Sequence, residues 1–232
     1  MRLPARADLL GYVAVAVLTT AASVTGRERS HLATKLLLAP TLAAGVVATR
    51  GERSAARSAT LVAALAGSAM GDWFMNASGR AASVEGRRLL MRRGAGAFAV
   101  QQIGLVRLML ADGARPRAVP STIVGGTLAG LAVVDTGGAG HPDPVLTAYG
   151  MLLGSMSALA LTQRRTVALG GGLFLLSDAT IILGEHLVKT PRQRAVVSGI
   201  VMSTYAAALA LLVHGLRDEH VHPDPVTEDA TA

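Results

Sequence analysis

The sequence predicts an all-α protein, a polytopic transmembrane bundle of about eight helices. Its composition and the spacing of its charges are the two observations that predict this class. Of the 232 residues, 51% are hydrophobic and only 16% are charged, and the mean hydropathy is +0.45. A soluble domain carries about 25% charged residues, so this chain has too little charge to cover a water-facing surface. The charged residues that it does contain are gathered in short islands between long apolar stretches.

Eight apolar stretches follow one another along the chain, each near the ~20 residues that a transmembrane helix needs. They are residues 9–26, 32–49, 58–77, 94–111, 118–134, 144–163, 166–184 and 195–216. We therefore expect a single transmembrane domain over residues 1–217 in the cell membrane, and a disordered tail over residues 218–232. The alternative, a soluble helical protein, would need amphipathic outer helices, and their polar faces are missing. Basic residues are shared evenly between the two predicted sides, so the positive-inside rule predicts no orientation.

Several functional classes are excluded by what the sequence lacks. The absence of cysteine excludes a disulfide framework, thiolate catalysis and zinc–thiolate sites. There is no G-x-S-x-G elbow, no H-E-x-x-H motif and no Walker loop. We therefore expect neither a metal nor a cofactor. The net charge of +7 would suit nucleic acid, but the arginines lie on both predicted sides and only 3% of residues are aromatic, so no nucleic-acid partner is expected.

Small residues spaced four apart predict where helices approach each other closely. The pairs are Gly67/Gly71, Gly126/Gly130 and Gly150/Gly154. Such pairs allow backbones to come together where lipid supplies no hydrophobic drive for helix association.

Four charged residues remain inside the predicted helices: Lys35, Asp72, Arg107 and Asp178. A charge at mid-membrane costs about 2.5–3.5 kcal/mol on insertion scales, so each one needs a reason. Arg107 and Lys35 lie near helix ends, where a long side chain can reach the interface, whereas an aspartate is too short to do so. The two aspartates lie at similar depths in parallel helices, about 3 Å apart along the membrane normal.

Polar side chains from other predicted helices fall in the same half of the membrane as the aspartates. They are Lys35, Gln101, Gln102 and Tyr149, with Tyr205 nearer to mid-depth. We therefore predict a polar site that opens to one leaflet beneath arginine-rich loops. A purely structural alternative pairs Asp72 with Lys35 and Asp178 with Arg107 or a neighbouring serine. Two carboxyl groups in one site would form an acid–base pair of the kind that cleaves acetal-like bonds through an oxocarbenium ion.

Short motifs around these residues follow one another in order over nearly the whole chain. They are Thr34-Lys35 with Pro40, then residues 68–72, 94–98, 149–156 and 174–178, and finally Thr204-Tyr205. With these motifs the sequence resembles the lysoplasmalogenase family of multi-pass membrane proteins, the YhhN type. The resemblance implies about eight membrane spans. It also implies hydrolysis of the vinyl-ether bond of lysoplasmalogens, which releases a fatty aldehyde and a glycerophospho-ethanolamine or -choline.

The resemblance also implies a polar site made of Lys35, Asp72, Tyr149, Asp178 and Tyr205. We predict that Asp72 and Asp178 are catalytic, and that the substrate-binding residues are Lys35, Gln102, Tyr149, Ser177 and Tyr205. Gln102 stands where the family usually carries a histidine, which leaves the aspartates as the expected proton carriers. The expected partners are a lysophospholipid substrate and membrane lipid.

A second class of function uses the same polar cluster: a non-enzymatic membrane protein that binds or transports lipid. The aspartates of the third and seventh predicted helices hint at a four-plus-four internal repeat, which is a common transporter plan.

Overall fold

The computed structural model describes residues 7–139 and 143–217, and eight α-helices account for most of them. The helices are α1 (Ala7–Val24), α2 (Glu28–Ala48), α3 (Ala55–Ser78), α4 (Val84–Ala111), α5 (Ala118–Ala139), α6 (Pro144–Ala160), α7 (Arg165–Leu187) and α8 (Pro191–Arg217). Because the described residues contain no strand, the all-α prediction is confirmed. The tail predicted over residues 218–232 lies outside the described residues, and the division into one domain and a tail stays a prediction.

Four of the helices, α2, α4, α7 and α8, are long and apolar enough to cross a membrane. Helices α1, α5 and α6 contribute shorter apolar segments. The chain is therefore a polytopic helical membrane protein, as the charge islands predicted.

The largest difference from the sequence prediction is the start of α4, which begins ten residues before the expected residue 94. Ser83 caps this helix, since its hydroxyl accepts a hydrogen bond from the Gly86 amide at 3.0 Å. The added turns carry Arg87, Arg88 and Arg92, which the sequence placed in a loop. Apolarity marks only the part of a helix that lipid covers, whereas capping sets where the helix begins.

The close approach of α3 to α4 brings one of the predicted glycine pairs into contact. A Cβ atom on Gly67 would lie 2.7 Å from the Ala97 carbonyl oxygen, and one on Gly71 would lie 2.7 Å from the Phe98 ring. The prediction is confirmed for this pair. It is wrong for Gly126/Gly130, where added Cβ atoms would meet nothing within 4 Å. At Gly150/Gly154 it is half right: Gly154 packs on α5, and Gly150 faces open space.

Buried arginines tie the helix ends together on the side opposite the predicted site. Arg57 lies 2.5 Å from Asp112, and its Nε donates to the Leu216 carbonyl at 2.9 Å. Arg53 donates to the Arg217 carbonyl at 2.7 Å. The last carbonyls of a helix have no partner within the helix, so these guanidinium groups satisfy the end of α8.

Candidate functional site

Asp72 lies at the centre of a polar cluster formed by α2, α3 and α8. The residue is 1% exposed, and its Oδ1 is 3.0 Å from the Lys35 ammonium. Its Oδ2 accepts a hydrogen bond from the Tyr205 hydroxyl at 2.8 Å, and the same hydroxyl lies 2.7 Å from the Ser68 Oγ. A buried carboxylate needs partners of this kind. The pairing of Asp72 with Lys35, one of the alternatives left open by the sequence, is confirmed.

Lys35 forms the outer edge of this cluster. It lies two turns from the start of α2, its side chain is 18% exposed, and its ammonium is 5.8 Å from the centre of the Tyr205 ring. An ammonium group has three donors, so Lys35 can hold Asp72 and still bind an oxygen of a ligand.

Asp178 is the centre of a second cluster, formed by α6 and α7. The residue is half-buried, and its Oδ2 accepts a hydrogen bond from the Tyr149 hydroxyl at 2.6 Å. The alternative that paired Asp178 with Arg107 is wrong, because Arg107 is exposed on α4. Arg107 lies four residues before the end of that helix, where its side chain can extend towards the interface.

The ring of Phe98 on α4 lies between the two clusters. Its centre is 6.4 Å from the Tyr149 ring and 6.4 Å from the Tyr205 ring, both within the range of favourable aromatic pairs. The two carboxylates, from α3 and α7, therefore lie on either side of the Phe98 ring, and each is bonded to its own tyrosine.

Gln102 lies one turn beyond Phe98 on the same face of α4. It is fully buried beside the Tyr149 hydroxyl, with which its amide interacts, but among the described residues the amide forms no hydrogen bond of good geometry. A buried amide that is poorly paired is costly, so Gln102 can offer hydrogen-bonding capacity to a polar ligand.

Ser177, which was predicted to bind substrate, packs against α8 in the structure. It is 1% exposed, and its hydroxyl donates to the Val201 carbonyl on α8 at 3.2 Å. Its predicted contact with substrate stays a prediction. Two residues that the site prediction omitted, Ser68 and Phe98, complete the arrangement. Their signal was their spacing, since each lies four residues before a predicted site residue on the same helix.

All of these groups lie near the same side of the bundle. Lys35 is seven residues from the start of α2, Tyr149 five from the start of α6, Asp72 six from the end of α3 and Asp178 nine from the end of α7. At 1.5 Å per residue they lie about 8–14 Å from helix ends that share one side. Over the described ranges, no three His, Asp or Glu groups are close enough to hold a metal ion.

The fold and site define a polytopic helical membrane protein with two carboxylates gathered in one half of its bundle. A sequence model of the YhhN family matches residues 30–216. This match covers most of the chain, which therefore belongs to the YhhN family. Searches of the curated proteins and of the solved structures return no match. Membership is consistent with a lysoplasmalogenase-like hydrolase.

Proposed function

We propose that the protein is a hydrolase of the cell membrane that cleaves the vinyl-ether bond of lysoplasmalogen-type lysophospholipids. The products are a fatty aldehyde and a glycerophospho head group. The observation that carries the proposal is the pair of aspartates, Asp72 and Asp178, each bonded to a tyrosine, on either side of the Phe98 ring. The reaction needs an acid and a base at one bond, within reach of lipid.

The chemistry uses one carboxyl group as a proton donor and the other as an anion. The donor adds its proton to the outer carbon of the vinyl group, and the ether carbon becomes part of an oxocarbenium ion. Water attacks that carbon and loses a proton to a carboxylate, which gives a hemiacetal. The hemiacetal carbon–oxygen bond to glycerol then breaks. The carboxyl group that took the proton from water gives it to the glycerol oxygen, and the former donor takes the proton of the hemiacetal hydroxyl as the aldehyde forms. The sum consumes one water molecule and returns both carboxyl groups to their starting state.

The contacts of the two aspartates support a division of these roles between them. Asp72 is ion-paired with Lys35, so we assign it the anionic role, facing the oxocarbenium ion and the attacking water. Asp178 has the neutral Tyr149 hydroxyl as its bonded partner, so we assign it the role of donor. An anion close to the developing positive charge stabilises the transition state more than the ground state.

The neighbouring polar groups would position the substrate and the water. The buried Gln102 amide lies beside Tyr149 with hydrogen-bonding capacity to spare, which suits a water molecule near the ether carbon. Lys35 has donors to spare for oxygens of the head group, and Tyr205 holds Asp72 in place. Ser177 supports the same region by fixing α7 on α8.

The proposal is tested by aldehyde release from lysoplasmalogen by the purified protein in detergent. The matched control substrate is the lysolipid with a saturated alkyl ether at the same position, which has no vinyl carbon to accept a proton. We expect aldehyde from the vinyl ether and none from the alkyl ether. Absence of aldehyde from both, together with lysolipid movement across sealed vesicles that contain the protein, would favour the transport alternative.

A further inference from the structure

A groove between α4 and α6 leads from the edge of the bundle to the second cluster. Its volume is about 370 Å³. It is lined by Ala95, Gly96 and Ala99 on α4 and by Val145, Ala148 and Tyr149 on α6. Most of these side chains are small, and a Cβ atom added to Gly96 would meet nothing within 4 Å. It is therefore an open apolar groove between two helices, and Tyr149 is its one lining residue with a polar side chain.

The inner end of the groove is the Tyr149 side chain. Its hydroxyl donates to the Asp178 carboxylate at 2.6 Å. A chain lying in the groove would thus be one side chain away from a carboxyl group of the proposed catalytic pair.

Beside the outer end of the groove, next to the lining residue Pro144, two arginines contact one aspartate. Arg88 and Arg92, from the added turns of α4, contact the Asp143 Oδ2 at 3.0 and 2.9 Å. Burial acts to raise the pKa of Asp143, but hydrogen bonds from the two arginines and the Val145 amide lower it to about 2. Asp143 is therefore ionised at neutral pH, and two cations on one anion leave a net positive charge at the mouth. Guanidinium groups in this setting suit a phosphate.

The spacing of the two ends fits a phospholipid with one chain. Asp143 directly precedes α6, and Tyr149 lies five residues into that helix, about 8 Å deeper. In a lysophospholipid, one glycerol unit separates the phosphate from the ether bond, and the hydrocarbon continues beyond it. A phosphate at the arginines would place the ether bond near Tyr149 and the chain along the alanines and Gly96.

We propose that the groove between α4 and α6 binds the hydrocarbon chain of a lysophospholipid, with its phosphate at Arg88 and Arg92. The inference rests on the proposed function for the identity of the ligand. A second cavity, about 440 Å³ beside Arg29, Leu36 and Arg80 on the Lys35 side, offers the competing entrance.

The test is photolabelling of the full chain in detergent with a lysophosphatidylcholine that carries a diazirine in its chain, followed by mapping of the adducts by mass spectrometry. We expect adducts in the α4 and α6 peptides that line the groove. Gly96→Leu should fill the groove and reduce this labelling about tenfold, the effect of displacing roughly two methylene groups. The matched control is Gly126→Leu, which adds the same side chain where a Cβ meets nothing within 4 Å, and it should label like the wild type.

A diazirine-bearing fatty alcohol separates the contribution of the phosphate from that of the chain. We expect it to label the groove more weakly than the phospholipid probe, and Arg88→Gln with Arg92→Gln should remove the difference. Adducts at Leu36 or Arg80 in place of the groove, or undiminished groove labelling in Gly96→Leu, would overturn the inference. Labelling needs no turnover, so a labelled groove without aldehyde release would contradict the proposed function alone.

Discussion

Asp178→Asn should lower the rate of aldehyde release by about 10²- to 10⁴-fold, the usual contribution of a positioned acid or base. Asparagine keeps the size of the side chain and an oxygen that can accept the Tyr149 hydrogen bond. It has no acidic proton to transfer to the vinyl carbon, so chemistry should fall while the fold is kept. The measurement is the initial rate of aldehyde release from lysoplasmalogen at equal amounts of folded protein.

Glu185→Gln provides the matched control for this variant. Glu185 lies two turns further along the same helix and is exposed, and its carboxyl group would likewise be replaced by an amide. We expect it to keep the wild-type rate. A wild-type rate in Asp178→Asn, or an equal loss in both variants, would exclude Asp178 as the proton donor.

The second large effect concerns stability rather than rate. Lys35→Met removes the ammonium 3.0 Å from Asp72, a residue that is 1% exposed. Removing one partner of a buried ion pair leaves an uncompensated charge, and the typical cost is about 3–5 kcal/mol. We expect this variant to unfold at a clearly lower midpoint than the wild type. The measurement is thermal or denaturant-induced unfolding of the protein in detergent.

The double variant Lys35→Met/Asp72→Asn tests the reason for that loss. With the charge of Asp72 also removed, nothing buried remains unpaired, and much of the stability should return because asparagine can still accept from Tyr205. If the double variant unfolds as readily as Lys35→Met alone, packing of the lysine stem, not charge pairing, would be the cause.

The positions of the helices could be predicted from the sequence because lipid excludes charge from long stretches. Their ends could not, since α4 begins at Val84 through a serine cap and carries its basic residues on helical turns. The sequence also did not predict the ion pair of Arg57 with Asp112. Both residues lie near helix ends, where charges are ordinary and give no reason to look for a partner.

The candidate site could be predicted in part because a charge within a membrane is rare and expensive. That cost identified Lys35, Asp72 and Asp178 as candidate site residues. Which tyrosine holds which aspartate depends on how the helices pack, and Tyr205 reaches Asp72 from 133 residues away. No local pattern carries such a pairing. The Phe98 ring between the clusters was likewise not predicted, because its only signal was its spacing from Gln102 and a phenylalanine in an apolar helix needs no explanation.

A double-mutant cycle tests most directly whether the two carboxylates work as one catalytic unit. It compares the rates of aldehyde release of Asp72→Asn, Asp178→Asn and the double variant with that of the wild type. Residues that act as a unit are strongly non-additive. We predict that each single variant loses most of the activity and that the double variant is no slower than the worse of the two. A wild-type rate in either folded single variant, or two losses that multiply in the double variant, would contradict the shared site.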